Sequence, residues 1–428
     1  MLDSHQIHRI RFVIWMFPLI VLGIECVAQG SCLDLEVAIR SGVAASEAVQ
    51  IQNAVVDGAK AQLDSIQAGV MPKLSLSGAI VKQDFRSSAS SEANSSSAAF
   101  QTASKIVLTQ PIYQGGREYA LLRAANAQVE SGNANVEATR IRAARTMTNL
   151  FFNALGAQAE LAALTDLQNL SERRHSEIKS RVAIGRSRAT DGLGAEAQVS
   201  SARAQVDAAK VQFDSTRRAL SSATRTEVNT VCEVSPGHLP VARWEDVRLK
   251  VMARPDLIAE QIAVKIAAEN VEAARAGHMP TLDASGNFYL KRADSRSSAG
   301  NWDVTLNASL PLYSGGGVNA AVREAKAIEM QQVLRRQLAE KDAIDEAYDL
   351  WERYSASRKQ NQLLDESATK SDAYYRHVAK DERLGLATSL ETLQALNSAI
   401  DSRRAAVKSR IQLGQTWRTL LLTIGSAI

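Results

Sequence analysis

The sequence predicts an α+β protein, mostly helical, built from very long antiparallel coiled-coil helices and two β-hairpins per chain. Three observations carry this: a helix-rich composition, one internal repeat, and strands that alternate with period two. Ala, Ser, Gln, Glu and Arg dominate the 428 residues, with only 8 Pro and 5% aromatics. That is the make-up of long helices rather than of a compact α/β enzyme.

The repeat has a fixed offset. Gln110-Pro111-Ile112-Tyr113-Gln114-Gly115-Gly116 matches Leu310-Pro311-Leu312-Tyr313-Ser314-Gly315-Gly316, 200 residues on. Ile184-Gly185-Arg186 matches Leu384-Gly385-Leu386 at the same offset, and Ala68-Gly69-Val70-Met71-Pro72 matches Ala276-Gly277-His278-Met279-Pro280 at 208. The difference falls between the two prolines of each half, where the first half has the longer loop. Three landmarks in one order set aside a chance coincidence.

The repeat divides the chain into a signal segment (1–30), a first repeat (31–228), a connector (229–243) and a second repeat (244–428). Each repeat begins with a helical segment, Leu33 to Ala68 and then Asp246 to Ala276. A β-hairpin follows, 73–111 and then 281–311. Next comes a helical stretch of about 70 residues, from Gly115 to Ile184 and from Gly315 to Leu384, ~105 Å long at 1.5 Å per residue. Past the Gly185 and Gly385 breaks a last helix closes each half. No core of this chain length needs a helix so long, so these helices pack along one another as in a coiled coil.

The strands alternate. In Trp302-Asp303-Val304-Thr305-Leu306-Asn307-Ala308-Ser309-Leu310 every even position is apolar and every odd one polar. Thr281 to Phe288 does the same, Leu74, Leu76 and Ile80 continue the pattern, and Phe100, Ile106 and Leu108 follow it less strictly. Period two means a sheet with one oily and one wet face. The polar linkers Arg86 to Ala99 and Ala293 to Gly300 read as exposed hairpin tips, where a change of length is tolerated.

Residues 1–30 read as a secretory signal. Arg9 and Arg11 form its positive region, Phe12 to Ile24 its apolar region, and Ala28 and Gly30 its cleavage pattern. A short membrane anchor is the alternative, but about 13 apolar residues fall short of the ~20 a spanning helix needs. Gln29 stands where a lipoprotein carries Leu, so Cys32 is not expected to be lipidated. The net charge of +4 is scattered, which gives no footprint for nucleic acid. The six His are dispersed without metal-ligand spacing. No nucleophile elbow, P-loop or Cys-x-x-Cys is present, so no enzyme, cofactor or metal site is expected.

No other segment is apolar enough for a spanning helix, so a membrane contact must be made by strands. Four strands of about 9 to 11 residues are long enough to cross an outer membrane, but known membrane barrels begin at about 8 strands. Open edges are not tolerated in lipid. The chain must therefore assemble with copies of itself, and the helices attached to the hairpins continue the barrel as a tube.

The ordered motifs AGHMPTLD, LPLYSGGGVN and LGLATSLETLQ resemble the TolC family of outer-membrane efflux proteins. The resemblance covers essentially the whole mature chain, in both halves. It implies a homotrimer with a 12-stranded transmembrane β-barrel in outer-membrane lipid and a helical periplasmic tunnel. The implied activity is passive transport, as the exit duct of a tripartite efflux pump or type I secretion system. A periplasmic adaptor protein and an inner-membrane transporter are the implied partners. The alternative function is a periplasmic coiled-coil adaptor or scaffold, against which the alternating strands and the repeat weigh.

By the same resemblance Thr190, Asp191 and Glu391 lie just past the hairpin tips, where the family often carries acidic rings that select for cations. Gln394 stands where a second acid is often found. The bland reading, that Asp191 and Glu391 are first-turn acids favoured by the helix dipole, stays open. Arg186 and Arg188 either lock a closed gate or, as Arg188 with Asp191, form a local pair. Ile184, Gly185, Leu384, Gly385 and Leu386 are the implied adaptor-docking tips, or simply a turn that needs Gly. Trp302, Phe100, Phe288 and Tyr289 are candidates for an aromatic girdle. Tyr113 and Tyr313, at strand-to-helix turns, and His278, beside its proline, read as structural.

Cys32 and Cys232 are candidates for a disulfide. An exported protein meets an oxidising compartment, and both cysteines lie at similar depth below the barrel. A frayed Cys32 and a Cys232 buried alone in the connector are the alternative.

Overall fold

The computed structural model describes residues 32–83, 99–234, 243–291 and 301–425. The signal segment, most of the linker 86–99, the linker 293–300 and part of the connector lie outside the described residues.

The first half runs α1 (Leu35–Ala45), α2 (Glu47–Gly69), β1 (Lys73–Gln83), β2 (Ala99–Gln114), α3 (Arg117–Ala183) and α4 (Ala189–Thr224). The second runs α5 (Trp244–Val251), α6 (Pro255–Arg275), β3 (Thr281–Lys291), β4 (Trp302–Ser309), α7 (Gly317–Arg383) and α8 (Ser389–Thr423). Both α3 and α7 have 67 residues, ~100 Å at 1.5 Å per residue. The Gly-Gly turns before them hold positive φ, 84° at Gly116 and 81° at Gly316, which side chains with a Cβ resist.

The expected first helix of each half is in fact two. Ser46, with extended backbone, separates α1 from α2. In the second half the chain breaks at 252–254 and restarts at Pro255, in the first-turn position that spares its missing N–H. The strands are also less even than expected. β1 and β3 have 11 residues, β4 has 8, and β2 has 16 and continues past Pro111 to Gln114. Proline donates nothing to the ladder, and the register shifts between Pro111 and Tyr113.

Among the described residues the strands form one antiparallel sheet in the order β1-β2-β3-β4. The first hairpin therefore pairs directly with the second, and β1 and β4 are the edges. The helices α1, α2, α4, α6 and α8 pack beside α3, while α5, α6 and α8 flank α7.

The core lies at mid-height. Phe151 and Phe152, near the middle of α3, are buried with Leu35, Ile39, Leu220 and Leu422. Val247, Val251, Ala343, Ala347 and Leu420 form a matching cluster around the middle of α7. Thus the short helices α1 and α5 thicken the bundle into a belt. Below it, small residues let α3 and α4 approach closely, with Leu164, Leu167, Ala202 and Ala209 buried together.

The N-terminal residues are tied to the connector. The Leu33 N–H donates to Thr230 O at 2.9 Å, and the Cys232 N–H donates to Leu33 O at 3.0 Å. Cys32 and Cys232 are joined by a disulfide with their Cα atoms 5.0 Å apart.

Candidate functional site: the sheet faces and the helical tips

The strand period sorts side chains into two faces. Leu74, Leu76 and Ile80 on β1, with Val304 and Leu306 on β4, are 63–75% exposed. On the same face Phe288 and Trp302 are directly opposed across β3 and β4. Such a row costs free energy in water and none in lipid. Lys105, Asn287 and Asp303 occupy the other face, where hydrogen bonds link them. Tyr289 belongs there too, because Lys105 Nζ lies 5.9 Å from its ring centroid. Tyr289 therefore leaves the expected girdle. The Phe288–Trp302 pair remains on the oily face, while for Phe100 the backbone pairing with Lys82 is what the structure defines.

At the far end of the long helices, two turns share one construction. Gly185 and Gly385 take φ of 74° and 79°. The next N–H folds back into the helix just ended, Arg186 to Arg181 O and Leu386 to Asp381 O, both at 2.8 Å. The following helices begin with a carboxylate that reaches back to the N-cap. Asp191 Oδ2 accepts the Arg188 N–H at 3.1 Å, and Glu391 Oε2 accepts the Thr388 N–H at 2.7 Å. Thr388 Oγ1 also accepts the Glu391 N–H at 3.2 Å, a full capping box. The backbone hydrogen bond from Thr388, aided by its hydroxyl, holds the Glu391 carboxyl below its ordinary pKa. So both acids act locally as caps. The expected Arg188–Asp191 side-chain pair does not form among the described residues; the carboxylate takes the Arg188 backbone instead, because N3 faces the free N–H groups of the first turn.

Ile184, Leu384 and Leu386 project from the tips, 65%, 65% and 78% exposed. Arg186, Arg188 and Gln394 are exposed as well. Asp191 and Thr190 border a cleft shared with Arg174, Ser389 and Leu390, which draws the start of α4 towards the start of α8.

A brace just above the tips escaped the sequence reading. Arg174 on α3 donates to Ser389 O at 2.8 Å and lies 3.5 Å from Glu382 on α7. Arg181, two turns nearer the tip, also reaches Glu382, at 3.4 Å. The Arg174 and Glu382 side chains are only 14% and 12% exposed, so this interhelical pair is screened less than a surface pair. It holds the α3–α4 tip against the α7–α8 tip.

The model of the family described as "Outer membrane efflux protein" matches residues 41–224 and 251–426. The chain belongs to the outer membrane efflux protein family. The match covers both repeats and leaves out the connector between them. Relatives include the outer membrane efflux protein BepC of Brucella suis, 22% identical over 315 residues that cover 71% of this chain and 68% of BepC. Protein CyaE of Bordetella pertussis is 25% identical over 57% of this chain and 54% of its own length. The proteases secretion protein PrtF of Dickeya chrysanthemi is 28% identical over 44% of this chain and 41% of its own. The chain thus aligns with about half of CyaE and less of PrtF.

Channel proteins of known structure share the fold. Crystal structures of CusC superpose with a TM-score of 0.81 at 16% identity, over 94% of this chain and 96% of that one. The Campylobacter jejuni CmeC outer membrane channel gives 0.79 at 16%, over 92% and 85%. The open state of the Neisseria gonorrhoeae MtrE outer membrane channel gives 0.77 at 18%, over 91% and 88%. Fold and family model agree, and together they set this chain among the outer membrane efflux proteins.

Proposed function

We propose that three copies of this chain form a passive exit duct, the four strands of each copy closing a 12-stranded barrel. The sheet carries this reading: oily on one face, wet on the other, with β1 and β4 as edges. Unpaired edges are not tolerated in lipid, and four strands are half the number in the smallest membrane barrels, about 8. Pairing β4 of one copy with β1 of the next removes every edge. Residues 1–30 direct export. Outer-membrane lipid covers the Leu74, Leu76, Ile80 and Val304 face.

Below the barrel the long helices line a tunnel. At its lower end Asp191 and Glu391, thinned by Gln394 where an acid would add charge, form a cation-selecting ring. Arg186 and Arg188 flank it. The brace of Arg174, Glu382 and Ser389 holds the tips together in the closed arrangement. Ile184, Gly185, Leu384, Gly385 and Leu386 dock a periplasmic adaptor, which passes cargo from an inner-membrane transporter in an efflux pump or a secretion system. Exposed apolar side chains on a rigid Gly turn support that role, since a partner gains by burying them. No bond in the cargo is made or broken.

Membrane fractionation with planar-bilayer recording tests the duct. An outer-membrane trimer that opens ion-conducting pores is expected. Recovery in the soluble periplasmic fraction, or silent bilayers, overturns the reading.

A further inference from the structure

We propose that the wet face of the sheet carries a second charged element that bears on ion selectivity, a hydrogen-bonded chain of Lys105, Asn287 and Asp303 near the outer end of the barrel lumen. This rests on the reading of the sheet as part of an oligomeric barrel.

The register places the three residues on adjacent strands, Lys105 diagonal to the Asn287–Asp303 pair. Lys105 on β2 is opposite Tyr289 on β3, and Asn287 is opposite Asp303 on β4. Lys105 Nζ donates to Asn287 Oδ1 at 3.0 Å, and Asn287 Nδ2 donates to Asp303 Oδ1 at 2.9 Å. An amide offers an acceptor to an ammonium and a donor to a carboxylate at once, from two separate atoms. Asn287 therefore bridges the two charges and fixes where each sits. The Tyr289 ring beside Lys105 gives the ammonium further support.

Face and depth follow from the strands. Leu306, Val304, Phe288 and Trp302 point the other way, toward lipid, so this chain of contacts faces the lumen. Lys105 lies nine residues from Gln114, where β2 turns into the helical part. That is ~30 Å along the strand at ~3.3 Å per residue. The chain is thus separated from the tip acids by most of the barrel and the whole of α3. Repeated around the ring, it alternates positive and negative sites.

Each half contributes selectivity of opposite sign. Lys105 favours anions and Asp303 favours cations. Their charges oppose each other within the chain, so neutralising either one shifts the preference toward the other's counter-ion. A field from the wall reaches about 10 Å at 0.1 M salt and about 3 Å at 1 M, so the element acts at low salt.

Reversal potentials of single channels in a KCl gradient test the proposal, around 0.1 M and again around 1 M. Lys105→Gln shifts the permeability ratio toward cations and Asp303→Asn toward anions, each by about two-fold at low salt, with both shifts shrinking at high salt. Lys105→Arg, which keeps the charge, keeps the wild-type ratio. Unchanged ratios in both neutral variants overturn the proposal, as do shifts of one sign or a Lys105→Arg channel that behaves like Lys105→Gln. A wild-type chain that opens no pores overturns the barrel reading itself, and the filter with it.

Discussion

Arg145 on α3 lies 2.6 Å from Glu346 on α7, so charge as well as packing joins the two repeats at mid-height. Glu346 also accepts from Arg254 at 2.8 Å, and Arg254 in turn holds Asp256. The result is a four-residue network spanning α3, α6 and α7.

This network makes the belt acid-sensitive. Burial alone would push the Glu346 and Asp256 carboxyls up, but hydrogen bonds from Arg254, and from Arg145 to Glu346, outweigh it and hold both below their ordinary values. A carboxyl depressed in the folded state adds stability that is complete above its unfolded pKa, ~4. That stability is lost as pH falls through the lower folded value. Melting temperature is expected to drop below about pH 4, and to drop less steeply in Glu346→Gln. Circular-dichroism melts from neutral pH down to pH 3 give the slopes; parallel curves would refute the assignment.

Removing the brace should loosen the tips. Glu382→Ala leaves Arg174 and Arg181 without their shared carboxylate, and Arg174→Ala frees Ser389. Either variant should conduct more than wild type in planar bilayers, by several-fold in open probability. The double variant should add little to the single ones, since residues of one network do not act additively. Wild-type conductance in both single variants would show that the brace does not restrain the tips.

The tip acids serve as caps, so a test of the gate must separate charge from helix stability. Asp191→Asn with Glu391→Gln should lower cation preference. Thr388→Ala weakens the same capping box by about 1 kcal/mol but keeps the Glu391 charge, and should leave selectivity unchanged. If Thr388→Ala shifts the reversal potential as far as the double variant does, capping geometry is responsible and the acidic ring is not.

The disulfide closes a loop with a sequence separation of 200, for which chain-entropy arguments give a stabilisation of order 2–5 kcal/mol. Cys232→Ser should lower the melting temperature, and a reductant should lower that of wild type by a similar amount without further effect on the variant. Alkylation of the unreduced, denatured mature chain should label neither cysteine. Two labelled thiols would exclude the bond.

The long elements were legible because their ends are chemically marked. Gly pairs stand before α3 and α7 and a single Gly after each, so the expected 115–184 and 315–384 differ from the observed helices by one or two residues. Strand faces followed from alternation, and parity alone would have moved Tyr289 away from Phe288 and Trp302. The breaks at Ser46 and 252–254 were missed for different reasons. Ser46 has neither Pro nor Gly beside it to mark the break. Pro255, by contrast, was a visible start signal. The capping role of Glu391 was readable from Thr388 three residues before it, a capping-box spacing, whereas Arg188 at the start of α4 gave no such sign for Asp191. The Arg174–Glu382 brace was not, since its partners lie 208 positions apart and nothing local announces a pairing set by two separate helical hairpins.

The bond from Cys32 to Cys232 also bears on the order of events during secretion. A chain threading the inner membrane from its N-terminus delivers Cys232 to the oxidising side while nearly half the polypeptide is still inside. The ring can close, and Phe151, Phe152 and Leu220 can be sequestered with Leu35 and Ile39, before α7 has emerged. The leading half would then wait as a covalently sealed template against which the trailing half zips, which confines premature contact between growing chains to the late-arriving segment.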